Sequence, residues 1–351
     1  MAKVVYLADV PVGDEYPIVF MAEIGTFFNN DIEKGLAYLK RAHDAGVDVF
    51  KTEILHTADV CLPNTGLTTT FNHSKGSTTE DYRKLIERKI VSLEDYKKLF
   101  DYAHEVKIPI VASVYDWDGV DFIKENDGAG IKISRDNINN VGLIKYAAST
   151  GLPLIFDAGV AFLDEIVFAI RTAKTNGAGG VILNHHAGVN PAPPKAHNLK
   201  VLAHYKEIFN IPIGLASFSL EDEILYAAVG AGCNIIEQGV DDDPDRNEQD
   251  LVSARPFEVL PEMIKKLKNC SLSLGTKFLI FQEPRQLSTR KCLIAKNDLK
   301  IGQEIKEENL SFAWPPIGVD ASKWDFLIGK VLTSEVKAGQ PIHYDNIDFE
   351  N

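Results

Sequence analysis

Between Ile18 and about residue 268 the chain alternates short apolar runs with segments of helical period. Eight runs stand out: "IVFMAEI" (18–24), "VDVFKTE" (47–53), "IPIVASV" (108–114), "AGIKIS" (129–134), "LPLIFDA" (152–158), "GGVILNH" (179–185), "IPIGLAS" (211–217) and "CNIIEQG" (233–239). Apolar runs this short, bounded by Gly or Pro, predict strands covered on both faces, as in a parallel sheet. The intervening segments read as amphipathic helices. "DIEKGLAYLKRAHDAG" opens on Asp31, a suitable N-cap, and closes on Gly46, while "SLEDYKKLFDYAHEV" opens on Ser92 with acids in its first turn. Later segments behave alike; "DWDGVDFIKEN", after the third run, is the shortest. Eight strand–helix units predict a (β/α)8 TIM barrel, with a doubly wound open sheet as the other fold such alternation permits.

Two stretches break the rhythm. Residues 55–90 are a long polar excursion after the second strand, a length that marks a functional lid or a disordered loop. Residues 271–290, "SLSLGTKFLIFQEPRQLSTR", read as a linker between a barrel domain at 1–270 and a small unit at 291–351. In that unit glycine turns recur in "NDLKIGQEI" and "EVKAGQPI".

Bulk properties narrow the class. The 351 residues suffice for a barrel of roughly 250 residues and a small second unit. Hydrophobic content of 45% and charge of 25% are those of a globular chain. A net charge of −13 argues against nucleic acid or an anionic membrane as a general partner, since both need a basic face. Cys61, Cys233, Cys270 and Cys292 form no CxxC pair, which suits a reducing compartment. The N-terminus carries Asp9, Asp14 and Glu15 without a long apolar core, so no signal peptide is expected, and no run approaches a membrane span. A cytoplasmic protein is the expectation.

In such a barrel the active site lies at the carboxyl ends of the strands. The strand ends carry Glu23, Lys51, Glu53, Ser113, Tyr115, Lys132, Ser134, Arg135, Asp157, Asn184, His185, His186, Ser217, Glu237 and Gln238. Two lysines among hydroxyls suit a phosphate or carboxylate. The same lysines could instead pair with Glu23, Glu53 or Glu237 as a structural network, or act as the Schiff-base nucleophile of an aldolase. Of His185 and His186 only one can face the mouth, because adjacent strand residues point to opposite faces. "DDDPDR" (241–246) reads as a solvated acidic loop rather than a cation site. Neither GxGxxG nor GxxxxGK[ST] occurs, which argues against a nucleotide fold of those kinds.

The motifs "AEIGTFFNND", "AGVDVFKTE", "IKIS", "GLPLIFDAG", "ILNHHAGVNPAP", "IPIGLAS", "IIEQG" and "RKCLIAKNDLKIGQEIKEENLSF" occur in this order over nearly the whole chain. In order and spacing they resemble the sialic acid (nonulosonic acid) synthases, a TIM barrel followed by a small antifreeze-like (SAF) domain. The resemblance implies condensation of phosphoenolpyruvate with an N-acetylated hexosamine or its phosphate to a 2-keto acid, in surface-glycan biosynthesis. It further implies a Mn2+ or Mg2+ ion that polarises the sugar aldehyde, and a homodimer whose SAF domains cap the partner barrels.

By position, the resemblance assigns phosphoenolpyruvate binding to Lys51 and Lys132, with Ser113 and Tyr115 in the same pocket. Glu23 and Glu237 take the acidic positions of the first and last strands, and His185 that of a strand-six histidine, a candidate proton donor. Glu53, Ser134, Arg135, Asp157, Asn184 and Ser217 are expected to touch substrate. The sequence departs from the family at Phe27 and Phe28, which replace Asn-His, and at Phe218 and Gly239, which replace both metal histidines. Trp314-Pro315-Pro316 replaces the Arg-Pro-Gly that reaches the sugar, making Trp314 an expected contact. No metal ligand is therefore expected at the family positions, and a less polar acceptor is. The departures leave a second reading open, a non-catalytic homologue that binds a sugar or a partner.

Overall fold

A computed structural model describes residues 4–243, 248–275 and 289–349 of the protein. Eight parallel strands close into a barrel in chain order. They are β1 (Val19–Gly25), β2 (Val49–Glu53), β3 (Ile110–Ser113), β4 (Gly130–Ile133), β5 (Pro153–Asp157), β6 (Gly180–His186), β7 (Ile213–Ser217) and β8 (Ile235–Gly239). The helices that follow them are α1 (Ile32–Asp44), α2 (Leu93–Glu105), α3 (Trp117–Glu125), α4 (Val141–Ser149), α5 (Leu163–Thr175), α6 (Lys200–Phe209), α7 (Asp222–Gly230) and α8 (Leu260–Ser273). Closure decides against the open sheet. β8 pairs with β1 so that Gly239 stands beside Glu23, and the β1–β2 register shifts between Glu23 and Gly25.

The expected caps form. The Asp31 carboxylate accepts from Lys34 N at 3.2 Å and Ser92 Oγ from Asp95 N at 3.1 Å, and Gly46 takes the positive φ of +77° that ends α1. Even the short α3 is secured, by Asp116 accepting from Gly119 N at 2.8 Å.

Strand period two sorts the barrel interior into layers. Outward residues such as Phe20, Phe50, Ile131, Leu154, Leu183 and Ile236 join the core between sheet and helices. Inward residues Val19, Met21, Val49, Val111, Ile155, Ile182 and Ile235 fill the lower barrel. An antiparallel hairpin, Val5–Leu7 with Val10–Val12, supplies Val5, Leu7 and Val12 to that same cluster. It packs so closely that a Cβ at Gly180 would lie 2.6 Å from Val5 and one at Gly130 3.1 Å from Leu7. One inward step further along the strands, the apolar residues give way to Glu23, Lys51, Ser113, Lys132, Asp157, Asn184 and Glu237.

The 55–90 excursion has structure of its own: the hairpin Thr68–His73 with Gly76–Asp81, then a short helix, Tyr82–Glu87. The chain falls into two compact units, Met1–Gly275 and Thr276–Asn351. α8 runs on to Ser273, so residues 271–273 are helix rather than the start of a linker. Residues 276–288 of that expected linker lie outside the described residues. In the second unit β9 (Cys292–Ala295) pairs antiparallel with β10 (Leu310–Ala313) around Leu293, Leu299, Ile305, Leu332 and Ile342. The two glycine-turn repeats pair with each other: Leu299 and Val336 exchange backbone hydrogen bonds of 2.8 and 3.1 Å. Gly302 and Gly339 take matching φ values of +77° and +79°. Among the described residues no helix is long and apolar enough to cross a membrane.

Candidate active site

The strand ends enclose a cavity of about 610 Å³ at the carboxyl mouth of the barrel. At its floor two buried lysines sit among four carboxylates. Lys51 binds Glu23 and lies 3.2 Å from Glu53 Oε1 and 3.6 Å from Glu237 Oε1. Lys132 binds Glu237 and lies 3.5 Å from Asp157 Oδ2. Asn184 Nδ2 donates to Glu237 Oε2 at 2.9 Å, and the Tyr115 hydroxyl donates to Glu53 Oε2 at 2.9 Å. Ser113 Oγ lies in the same floor, buried and with no hydrogen-bond partner among the described residues.

Two cations cannot neutralise four carboxylates, of which Glu237 and Asp157 are buried and Glu23 and Glu53 partly exposed, and the proton affinities show where the excess is carried. Burial, reinforced by Glu237 and opposed by Lys51, raises Glu23 to about 7. Burial also acts to raise Glu237, but Lys132 and Lys51 outweigh it and bring it down to about 2. Lys51 holds Glu53 below its ordinary value against burial. Both lysines are raised, because the carboxylates around them overcome desolvation. The floor thus favours holding a proton toward neutrality, and Glu23 is the carboxylate whose affinity is raised. A Schiff-base lysine needs a lowered pKa, so the aldolase alternative finds no support in either lysine.

Glu23, Lys51, Glu53, Ser113, Tyr115, Lys132, Ser134, Arg135, Asp157, Ser217 and Glu237 line the cavity as the sequence suggests. Asn184 stands behind the lining and orients Glu237. His185 is a correction. Its place on β6 turns it outward, where Nε2 meets the His197 carbonyl oxygen at 2.6 Å and the ring packs edge-on against Tyr205. His186, with the inward parity of Asn184, lines the cavity in its stead. Trp314 belongs to the second unit, where Lys291 Nζ lies 4.9 Å from its ring centroid. Phe28 is not a site residue either: it is 1% exposed, and its ring lies against Gly35 and edge-on to Tyr96. The acidic 241–246 run is not simply solvated, for Asp241 is buried and accepts from the Tyr38 hydroxyl at 2.7 Å. Residues 244–246 lie outside the described residues.

Several lining residues come from loops to which the sequence assigns no chemistry. Asn72 Nδ2, on the excursion hairpin, donates to the Asn190 carbonyl at 3.0 Å, and Asn190 Nδ2 donates to Asp250 Oδ1 at 2.9 Å. This chain joins the loops after β2, β6 and β8 across the mouth. Lys89, also in the lining, is held by Glu248 at 3.1 Å. The signal for Asn72 and Lys89 was the polarity of the excursion itself, which names no single residue.

The NeuB family model matches residues 38–278, and the SAF domain model matches residues 290–348. The chain belongs to the NeuB family. Its NeuB barrel and SAF unit are similar to N,N'-diacetyllegionaminic acid synthase of Campylobacter jejuni, 24% identical over 92% of this chain and 98% of that protein. N-acetylneuraminate-9-phosphate synthase of Mus musculus is 26% identical over 97% of this chain and 88% of its own length. Among solved structures, N-acetylneuraminic acid synthetase of Leptospira borgpetersenii superposes with a TM-score of 0.73 at 22% identity, covering 82% of this chain and 95% of that one.

The divalent ion that the NeuB resemblance implies does not fit the residues present. At the two positions to which the resemblance assigns histidines, Phe218 and Gly239 offer no ligand, and the Phe27 ring lies over Gly239, 3.6 Å from where a Cβ would stand. Phe218 packs edge-on against His186 with centroids 4.5 Å apart. No cluster of three or more His, Cys, Asp or Glu among the described residues is arranged to hold a metal.

Proposed function

We propose that the protein condenses phosphoenolpyruvate with an aldehyde derived from an amino sugar, giving a 2-keto-3-deoxy acid of the nonulosonic class for surface-glycan biosynthesis. The observation that carries this reading is the pairing of buried Lys51 and Lys132 beside an unpartnered Ser113 hydroxyl at a barrel mouth. That set suits a small dianionic phosphate with an adjacent carboxylate. Phosphoenolpyruvate enters by loosening the carboxylates from the lysines, and Glu23 yields most readily because it already holds a proton near neutrality. C3 of phosphoenolpyruvate then bonds the aldehyde carbon while the aldehyde oxygen takes the Glu23 proton. Water adds to the electron-poor C2, one proton passing to solvent. The C2–O bond then breaks as the hydroxyl proton leaves with phosphate, giving the 2-keto group. Glu237, held ionised by Lys132, fixes that lysine over the mouth.

Phosphate release from phosphoenolpyruvate, assayed over a panel of N-acetylhexosamines and their phosphates, tests the reading. Release with one acceptor is expected, and none with any acceptor would overturn it. A second reading rests on Phe27 covering Gly239: a homologue that binds sugar or a partner without turnover. Calorimetry separates the two, since sugar binding without phosphoenolpyruvate binding favours the second.

A further inference from the structure

His186 is a buried group of the cavity lining that the condensation reading does not use. The Gly188 N–H donates to His186 Nδ1 at 2.7 Å. That bond requires a lone pair on Nδ1, so the neutral ring carries its proton on Nε2. The ring cannot tip away. Phe218 packs edge-on against it, and a Cβ at Gly159 would lie 2.7 Å from His186 Cγ. Only Gly159 leaves room for it. Nε2 has no hydrogen-bond partner among the described residues, yet it is not among their buried unpartnered atoms. The residue lines the cavity while being 6% exposed. An N–H with no partner among the described residues is therefore presented to the cavity by a ring that packing holds still. Burial lowers the proton affinity of the ring, opposed by Asp157, which favours its neutral form.

The lysines handle negative charge at the floor. A neutral, immobile N–H suits a different acceptor, an oxygen that is uncharged in the ground state and gains charge in the transition state. We infer that His186 Nε2–H donates to the aldehyde oxygen of the sugar-derived substrate and polarises that carbonyl without a metal ion. This inference rests on the condensation reading. As C3 of phosphoenolpyruvate bonds the aldehyde carbon, the carbonyl π pair moves onto the oxygen, and the Nε2–H bond strengthens while the Glu23 proton arrives. His186 keeps its own proton throughout.

Three proteins are compared: the parent, His186→Phe and His186→Gln. Each is assayed for phosphoenolpyruvate binding by calorimetry, for thermal midpoint, and for kcat and KM toward the acceptor found active with the parent, in EDTA and in added Mn2+. His186→Phe is expected to bind phosphoenolpyruvate within about twofold of the parent while losing kcat by 100-fold or more, the usual cost of one oxyanion donor. His186→Gln, which restores an amide donor, is expected to recover part of that loss at an unchanged midpoint. Parent activity is expected to survive EDTA. Parent-like kcat in His186→Phe overturns the inference and leaves the condensation reading standing. So does activity abolished by EDTA and restored by Mn2+, or equal loss of kcat in both variants. A parent that turns over no acceptor removes the condensation reading and this inference together.

Discussion

Lys132 carries two roles at once, and its removal separates them. Lys132→Ala leaves Glu237 and Asp157 buried without their shared cation, which costs roughly 3–5 kcal/mol of stability and abolishes phosphoenolpyruvate binding. Denaturant unfolding and calorimetry on one preparation check both, and unchanged heats of binding would show that the lysine is structural alone. Glu23 sets a pH dependence. Its ionised form repels an incoming anion and its protonated form does not, so binding takes up a proton and weakens as pH rises through about 7. Calorimetry between pH 6 and 8 in buffers of different ionisation heat is the check. Glu23→Gln should bind with little pH dependence while turnover falls by about 10²–10⁴. The charged members of the site were legible in the sequence because barrel geometry puts them at strand ends. His185 was misplaced where parity would have corrected it: Ile182 and Asn184 point inward, so His186 must as well. Phe27 and Phe28 look equivalent as a pair, but one ring turns to the mouth and the other beneath α1.

Elements position these groups through close backbone approaches. Gly214 on β7 leaves the space in which Asn184 reaches Glu237, since any Cβ there would collide with Asn184 Oδ1 and crowd Ile235 at 2.7 Å. Gly214→Ala should therefore lower stability by about 1–3 kcal/mol and loosen Glu237, with thermal unfolding and phosphoenolpyruvate affinity falling together. All eight strands could be read from their apolar runs, because burial on both faces leaves little freedom for any other pattern. The excursion could not be read. Its hairpin is built from Thr, Asn, His and Ser, is mostly solvated, and is held by polar contacts such as Arg88 to Glu80 at 2.7 Å and to Glu248 at 2.5 Å. A pair 160 residues apart, such as Arg88 and Glu248, leaves no mark in a local period.

For the whole molecule, the resemblance leads us to expect a dimer, and sedimentation over a concentration series checks it, a persistent monomer being the contrary result. Exposed Phe162, Val167 and Phe168 on the barrel unit, and Phe312, Trp314 and Ile317 on the SAF unit, offer apolar surface for such association. The amino-terminal hairpin was absent from the sequence reading, since two three-residue strands are too short to show a period. Its Leu7 is fully buried, so Leu7→Ala should cost about 2–5 kcal/mol while leaving substrate affinities unchanged, as paired unfolding and binding curves would show. The hairpin that seals the barrel from below places its contribution to the fold at the end opposite the rim loops. Variation can then accumulate in the rim loops without eroding the foundation. A library confined to residues 55–90 and the segments after β6 and β8 would explore new acceptors on a scaffold whose tolerance for change is underwritten at its other end.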